Sequence, residues 1–371
     1  RSISSRKFTL FLTDRIQFME IITIVGARPQ FVKAAVVSRE ISKHADIRET
    51  IVHTGQHFDP NMSNLFFEEM CIPHPTYNLN INNLGHGAMT GKMLEEIEKI
   101  LLDRKPDWVL VYGDTNSTLA GALAAKKLHI KVAHVEAGLR SFNMEMPEEI
   151  NRILTDRISD TLFCPTETAI ENLRQEGFDH FPTRIVTSGD VMLDAALFYQ
   201  THSRPPKVEL SDHFVLATLH RAENTDHPQH LMDIIHALET ISREQEVICP
   251  LHPRTRSKLE TQNYDTKNSP IHFIEPVGYL EMLYLLNHCS LVMTDSGGLQ
   301  KESFFFKKYC ITLRNETEWT ELVENGYNSL AGNSYEVIMD TYRKYHVPNF
   351  SKSLYGDGHA AKIIVDTLIH P

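Results

Sequence analysis

The chain has 371 residues, enough for two domains or one large one. It is 42% hydrophobic and 23% charged, with 17 Gly and 17 Pro, a globular composition that excludes disordered, collagenous and low-complexity classes. Its 37 basic against 48 acidic side chains leave a net charge of −11, which argues against nucleic-acid binding; an anion site would have to concentrate Arg and Lys locally.

Arg1 to Phe18 reads as an upstream extension outside the fold, because Met19 opens the first clear strand. The five cysteines (Cys71, Cys164, Cys249, Cys289 and Cys310) form no CxxC pair, and most lie in apolar runs. Zinc and disulfide frameworks therefore have no support, and a reducing cytoplasm is expected. No apolar stretch approaches the roughly 20 residues of a membrane span, so no membrane partner is expected.

From Glu20 the chain alternates short apolar runs with helical periodicity. Glu20 to Val25 is followed by a Gly26-Ala27-Arg28-Pro29 turn and apolar residues at helical spacing from Phe31 to Ile41. Further runs are Thr50 to Thr54, Asp107 to Tyr112, Lys131 to Val135, Asp160 to Cys164 and Arg184 to Val186. Continuous apolar strands between helices imply a parallel sheet covered on both faces, hence a doubly wound α/β domain over 19–198. After Pro205-Pro206 the rhythm restarts with Phe214 to Leu219, Val247 to Pro250, Ile271 to Ile274, Leu291 to Thr294 and Cys310 to Leu313. A second such domain is expected over 199–357. The last helical stretch, within 358–371, is expected to pack back toward the first domain.

Two facing α/β domains bind ligand at the carboxyl ends of their strands. In the first domain the turn at Gly26, with Arg28 and Lys33, is suited to an anion through free N–H groups at a helix start. Asp114 follows the Trp108 to Val111 run, where it or a neighbour also suits a helix cap. Glu136 follows the next strand, ahead of Arg140. Glu149, at a helix start, reads as a dipole-complementing charge, and Glu148 is open between that role and chemistry. In the second domain, His220-Arg221 and His252-Pro253-Arg254 end two strands. Ser296-Gly297-Gly298 forms a turn into a helix suited to pyrophosphate, and Glu302 lies one turn on, placed for ribose hydroxyls. Lys301, about 100° around the helix, is expected to face away from the cleft. Acids facing a nucleotide cradle suggest proton transfer on a nucleotide-linked substrate.

These motifs, in order from Gly26-Ala27-Arg28-Pro29 with Lys33 through Gly113-Asp114-Thr115, His134 to Arg140, Pro147-Glu148-Glu149 with Asn151-Arg152, His220-Arg221 with Glu223-Asn224 and Asp295 to Glu302, resemble the non-hydrolysing UDP-N-acetylglucosamine 2-epimerases over Met19 to about Ile369. The resemblance implies a GT-B fold, two Rossmann-like domains facing across a cleft, a UDP-sugar substrate and a homodimer, with no metal or nicotinamide cofactor. It implies that UDP-GlcNAc and UDP-ManNAc are interconverted through 2-acetamidoglucal and UDP. Asp114, Glu136 and Glu148 match the family's catalytic acids, and His220 joins them. Arg28, Lys33, Arg140, His252, Arg254, Ser296, Gly297, Gly298 and Glu302 are the expected substrate-binding set.

Departures from the common family pattern are also visible. Ala27 and Gln30 stand for Thr and Glu, Ala222 for Arg, Lys301 for Glu, and Trp319-Thr320 for Arg-Pro. The Gly-Ala-Arg-Pro-Gln and Thr-Glu-Trp variants resemble a branch acting on UDP-2,3-diacetamido-2,3-dideoxy-glucuronate, the alternative substrate. A GT-B glycosyltransferase and a non-catalytic nucleotide-sugar sensor are the readings from other classes. Gln56-His57 matches part of a second, activating nucleotide-sugar site of bacterial members, from which Phe58-Asp59 departs.

Overall fold

The computed structural model of the chain describes residues 18–56, 67–68 and 70–370. The proposed extension before Phe18, and His57, Phe58 and Asp59, lie outside the described residues.

Two parallel sheets form the frame. The first holds β1 (Met19–Val25), β2 (Ile47–His53), β3 (Tyr77–Asn78), β4 (Trp108–Tyr112), β5 (Lys131–Val135), β6 (Thr161–Cys164) and β7 (Arg184–Thr187), in the order β3-β2-β1-β4-β5-β6-β7. The second holds β8 (Val215–Thr218), β9 (Val247–Pro250), β10 (His272–Ile274), β11 (Leu291–Thr294), β12 (Tyr309–Thr312) and β13 (Asn328–Leu330), in the order β10-β9-β8-β11-β12-β13. The expected doubly wound α/β architecture is present twice. The edge strands β3 and β13 are additions: two and three residues long, they carry too little pattern to stand out in the sequence.

Each central strand serves two cores. Along β1, Ile21 and Val25 face the layer containing Phe31, while Ile22 and Ile24 face Met93 and Ile97 on the opposite side. This period-2 alternation between two apolar faces explains why apolar residues stand at both odd and even positions of the strand from Ile21 to Val25.

The chain reverses direction across each sheet beside its first strand, between β1 and β4 and between β8 and β11. At such a switch point the loops diverge and leave a crevice. Gly26 and Gly113 end the flanking strands of the first crevice; His220 and Asp295 lie just beyond those of the second. Both crevices thus hold the motifs identified in the sequence.

A helix over Val191–Gln200 lies between the two halves. It packs on the helix Arg28–Ile41 on one side and on the helices Tyr279–His288 and Gly297–Phe305 on the other. The final helix, Ala360–Ile369, packs on Arg28–Ile41 and on Val191–Gln200. Ile364, Val365 and Leu368 join Ile21, Phe31 and Tyr199 in one apolar cluster that continues to Leu216 and Val292 of the second sheet. The cysteines are all unpaired, four of them buried and Cys71 exposed. No helix among the described residues is long and apolar enough to cross a membrane.

Because Ile364 is fully buried in the shared cluster, Ile364→Ala is expected to destabilise the protein by about 2–5 kcal/mol, measured as a lower urea midpoint.

Candidate active site

The turn after β1 is closed by its own chain. The backbone N–H groups of Gly26 and Ala27 donate to Gln30 Oε1 at 2.8 and 3.0 Å, and Gln30 Nε2 donates to the Tyr112 carbonyl at 2.7 Å. The expectation of free N–H groups for an anion here is therefore corrected. Gln30 also accounts for one departure from the family pattern, since a carboxylate could not donate to Tyr112. Gly26 is required by close approach: a Cβ there would overlap Ser117 Oγ and Thr54 Oγ1. The Ser117 hydroxyl and N–H both donate to Gln56 Oε1. Arg28, at the start of the helix, lines the cleft.

Lys33 turns toward the end of β5, where its Nζ lies 2.5 Å from Glu136 Oε1. Lys301 of the second domain reaches the other oxygen of the same carboxylate at 3.2 Å. Burial by itself would raise the Glu136 carboxyl; the two ammonium groups reverse this and hold it down at about 2. Glu136 also has a backbone φ of 71°, in the left-handed region that non-glycine residues rarely adopt. Such a conformation persists where the surroundings enforce it, and it occurs characteristically at functional sites.

Asp114 is free of the capping role. The helix Asn116–Lys127 is capped by Thr115, whose side chain accepts from the Thr118 N–H. The Asp114 carboxylate instead meets Arg152 at 2.8 Å. Desolvation pushes Asp114 above the ordinary carboxylate range, against the pull of Arg152 and Lys33. Glu148 is exposed on the first turn of the helix Pro147–Ile158. Glu149 is buried and accepts hydrogen bonds from the Ser141 and Phe142 N–H groups, which makes it structural.

Behind these acids lies a charged framework. Asp156 contacts His134 Nδ1 and Arg140 Nη1, each at 2.7 Å. Arg140 also forks onto Glu176 at 2.6 and 2.8 Å. His134 Nε2 meets the Gly113 carbonyl at 2.6 Å and so fixes the backbone beside Asp114. Arg140, expected among the substrate-binding residues, is instead occupied on both edges by buried or half-buried carboxylates.

In the second domain the buried Asp295 accepts from the His220 and Arg221 N–H groups and from Asn224 Nδ2, tying the end of β8 to the end of β11. His252 caps the helix Pro253–Thr261, its Nδ1 accepting from the Arg254 N–H. Arg254 turns to Asp226 at 2.5 Å and to Thr225, and it does not line the cleft cavity. Ser296 caps the helix Gly297–Phe305. A Cβ on Gly297 would overlap the Glu318 carboxylate, whereas one on Gly298 would enter open space. Gly297 therefore accommodates the protein's own side chain, and Gly298 keeps the cleft wall low.

A cavity of about 310 Å³ joins the domains. Arg28 and Pro29 line it from the first; His220, His252, Ser296, Gly298 and Glu302 line it from the second. Lys33, Asp114, Glu136 and Glu148 belong to the adjoining carboxylate cluster rather than to this wall. The expectation for Lys301 is also corrected. It is 2% exposed, lies 2.5 Å from Asp190 Oδ2, and sits over the Trp319 ring at 4.2 Å. Helical angle alone had placed it off the cleft, but the first domain covers that face of the helix. Sequence reasoning named Arg152 only as part of the Pro147 to Arg152 motif, without a role, and it missed Asp190. The departure at Lys301 was the signal available for Asp190.

Burial pushes the Glu302 carboxyl from 4.5 up to about 7, with the Tyr279 hydroxyl and Lys301 opposing. A carboxyl raised on folding contributes its stability fully below its unfolded value and loses it as pH rises through the folded one. Glu302→Gln, which stays neutral, is expected to match wild type near pH 4.5 and to exceed it above pH 7 by about 3 kcal/mol, measured by denaturant unfolding across that range.

The family profile described as UDP-N-acetylglucosamine 2-epimerase matches residues 39–369. A Pseudomonas aeruginosa protein, named UDP-2,3-diacetamido-2,3-dideoxy-D-glucuronate 2-epimerase, is 54% identical over 354 residues, covering 94% of this chain and 99% of that protein. A Methanocaldococcus jannaschii UDP-N-acetylglucosamine 2-epimerase is 43% identical over 372 residues, 95% of this chain and 99% of its own length. A crystal structure of the Methanocaldococcus jannaschii UDP-GlcNAc 2-epimerase, in complex with UDP-GlcNAc and UDP, superposes with a TM-score of 0.85 at 44% identity, covering 95% of this chain and 100% of that one. The fold with its two parallel sheets, the ordered motifs and these likenesses place the chain in the UDP-N-acetylglucosamine 2-epimerase family, the C2 epimerases of UDP-N-acetyl sugars.

Proposed function

We propose that the chain epimerises UDP-2,3-diacetamido-2,3-dideoxy-D-glucuronate at C2, in preference to UDP-GlcNAc. The observation that carries this choice is the 54% identity to the Pseudomonas aeruginosa enzyme of that name, against 43% to an enzyme named for UDP-GlcNAc. The variants at Gln30 and Trp319 agree with it.

The chemistry follows from the groups at the cleft. A C2–H bond is a very weak acid, so its proton leaves only as the C1–O bond to UDP breaks. The electron pair of the C–H bond forms the C1–C2 double bond, and UDP carries away the pair of the broken C–O bond. UDP then returns to C1 while a proton reaches C2 from the opposite face. Arg28, His220 and the N–H groups at Gly297 and Gly298 are placed to stabilise charge growing on the departing diphosphate. Two carboxyl groups with divergent environments suit a reaction that needs a proton acceptor and a proton donor. Glu136, held ionised but weakly basic by two lysines, suits stabilisation of positive charge at C1; Asp114, raised by desolvation, is better matched to transfer of the C2 proton. Glu148 completes the acid set from the rim. The uridine side of the ligand falls to the cavity wall, with Glu302 for the ribose. The homodimer implied by the resemblance belongs to this proposal, and light scattering tests it.

Incubation in D₂O with each UDP-sugar separately, followed by NMR, is expected to show deuterium entering at C2 and faster turnover of the diacetamido-uronate. Faster turnover of UDP-GlcNAc would reverse the substrate assignment, and epimerisation with the original proton retained would exclude the mechanism. Asp114→Asn and Glu136→Gln are each expected to lower kcat by about 10²-fold or more in the same assay, the scale of lost acid–base catalysis. Glu302→Ala is expected to weaken UDP binding at least about tenfold in calorimetric titration, consistent with loss of the hydrogen bonds between its carboxyl and the ribose hydroxyls.

A further inference from the structure

Lys301 and Trp319 are both departures from the family pattern, and the fold brings them together. The Lys301 ammonium lies over the Trp319 ring at 4.2 Å, and the Trp319 indole N–H donates to the Gly297 carbonyl at 2.9 Å. The cation is thus seated on a ring fastened to the first residue of the cradle helix. From there it reaches out of its own domain to two carboxylates of the other, Asp190 at 2.5 Å and Glu136 at 3.2 Å. Asp190 is itself fixed: its other oxygen caps the helix Val191–Gln200, accepting from the Met192 N–H at 2.8 Å. Where the common pattern has Glu at position 301 and Arg at 319, the two signs could pair with each other. In this chain the cation has moved to position 301 and a ring has replaced its partner. A Glu at 301 in this structure would confront Glu136 and Asp190 with a third carboxylate.

We propose that Lys301 is a positioning residue for epimerisation: seated on Trp319, it straps the Gly297–Phe305 cradle helix to Asp190 and Glu136 and so fixes the Glu136 carboxylate as the two domains close. Lys301 itself does not touch the substrate. Its effect passes through Glu136, whose charged and titratable neighbours are Lys33, Lys301 and Asp114. Glu148 acts on the same cluster through Asp114, and Asp190 through Lys301. With Lys301 present, Glu136 is gripped on both oxygens, one from each domain. Without it, the Lys33 contact from its own domain is the one left among the described residues, and the cradle helix is no longer tied to the reacting acid. The inference rests on Glu136 acting in the reaction but not on which UDP-sugar is the substrate.

The test uses the full-length protein and Lys301→Met, Lys301→Gln and Lys301→Arg, assayed with whichever of UDP-GlcNAc and UDP-2,3-diacetamido-2,3-dideoxy-D-glucuronate wild type turns over faster. Lys301→Met is expected to lower kcat by about 10²-fold with calorimetric UDP affinity changed less than about threefold. The acid limb of its kcat/KM profile is expected to move upward by about one pH unit or more, because Glu136 loses one of two cations while its burial persists. Lys301→Arg, which keeps the charge, is expected to retain the wild-type limb and recover most of kcat. Lys301→Gln keeps hydrogen-bonding capacity without charge and carries the same expected limb shift should Lys301→Met fail to fold. An unshifted limb with unchanged kcat would overturn the proposal. So would parallel loss of kcat, UDP affinity and thermal stability that Lys301→Arg does not rescue, since that is the signature of a structural strut alone. Titration of the Glu136 carboxyl carbon by ¹³C NMR in wild type and Lys301→Gln needs no substrate. It is expected to rise in the variant, and it separates failure of this proposal from failure of the epimerase reading.

Discussion

The site depends on one carboxylate held from two directions. Glu136 ends a strand of the first domain, yet one of its oxygens belongs to Lys33 of that domain and the other to Lys301 of the second. Removing a charge from water is expensive, and a buried ion pair is tolerated only when each member is well matched. Breaking one member of such a pair typically destabilises by about 3–5 kcal/mol, because the partner is left buried and uncompensated. The Lys33–Glu136–Lys301–Asp190 chain therefore defines the relative placement of the domains more sharply than apolar packing can. Apolar burial is non-directional, whereas charge-assisted contacts at 2.5 Å specify which oxygen meets which nitrogen.

The same logic explains the second tier of charges. Arg140, Asp156, His134 and Glu176 form a buried or half-buried network with no part in lining the cavity. Its output is the position of the Gly113 carbonyl, which His134 holds, and hence of Asp114 on the next residue. In the other domain Asp295 does the equivalent work for His220 by gathering two successive backbone N–H groups. Both halves use a buried carboxylate just behind the site to fix a strand-end loop, so Asp114 and His220 need not hold themselves in place.

Fold topology supplies the remaining constraint. Both sheets reverse direction beside their first strand, and both crevices open at the carboxyl ends of parallel strands. The acids come from one crevice and the cradle from the other. The helix Val191–Gln200 lies between them, with Asp190 at its cap and Met192 in the cavity wall. The acid cluster and the cradle consequently face one cleft in this architecture.

The sequence by itself determined the doubly wound architecture, because strands with apolar residues on both faces, alternating with helices, admit few other packings. It also singled out Ser296 to Glu302 and the strand-end acids Asp114 and Glu136 as candidates, because polar residues follow apolar runs there, although Asp114 equally suited a helix cap. Periodicity worked where an element had length; β3 and β13, at two and three residues, carried none. What only the tertiary structure decided was which charges face which. Arg140 and Arg254 looked like ligands of an anion and are partners of acids that lie 16 and 28 residues away. The N–H groups after Gly26 looked open and are filled by Gln30. Lys301 looked turned away from the cleft because a helical wheel knows only its own helix, and the face it points to is covered by residues 165 positions earlier in the chain. Pairings at such separations are set by how two domains close on each other, and no local pattern encodes that.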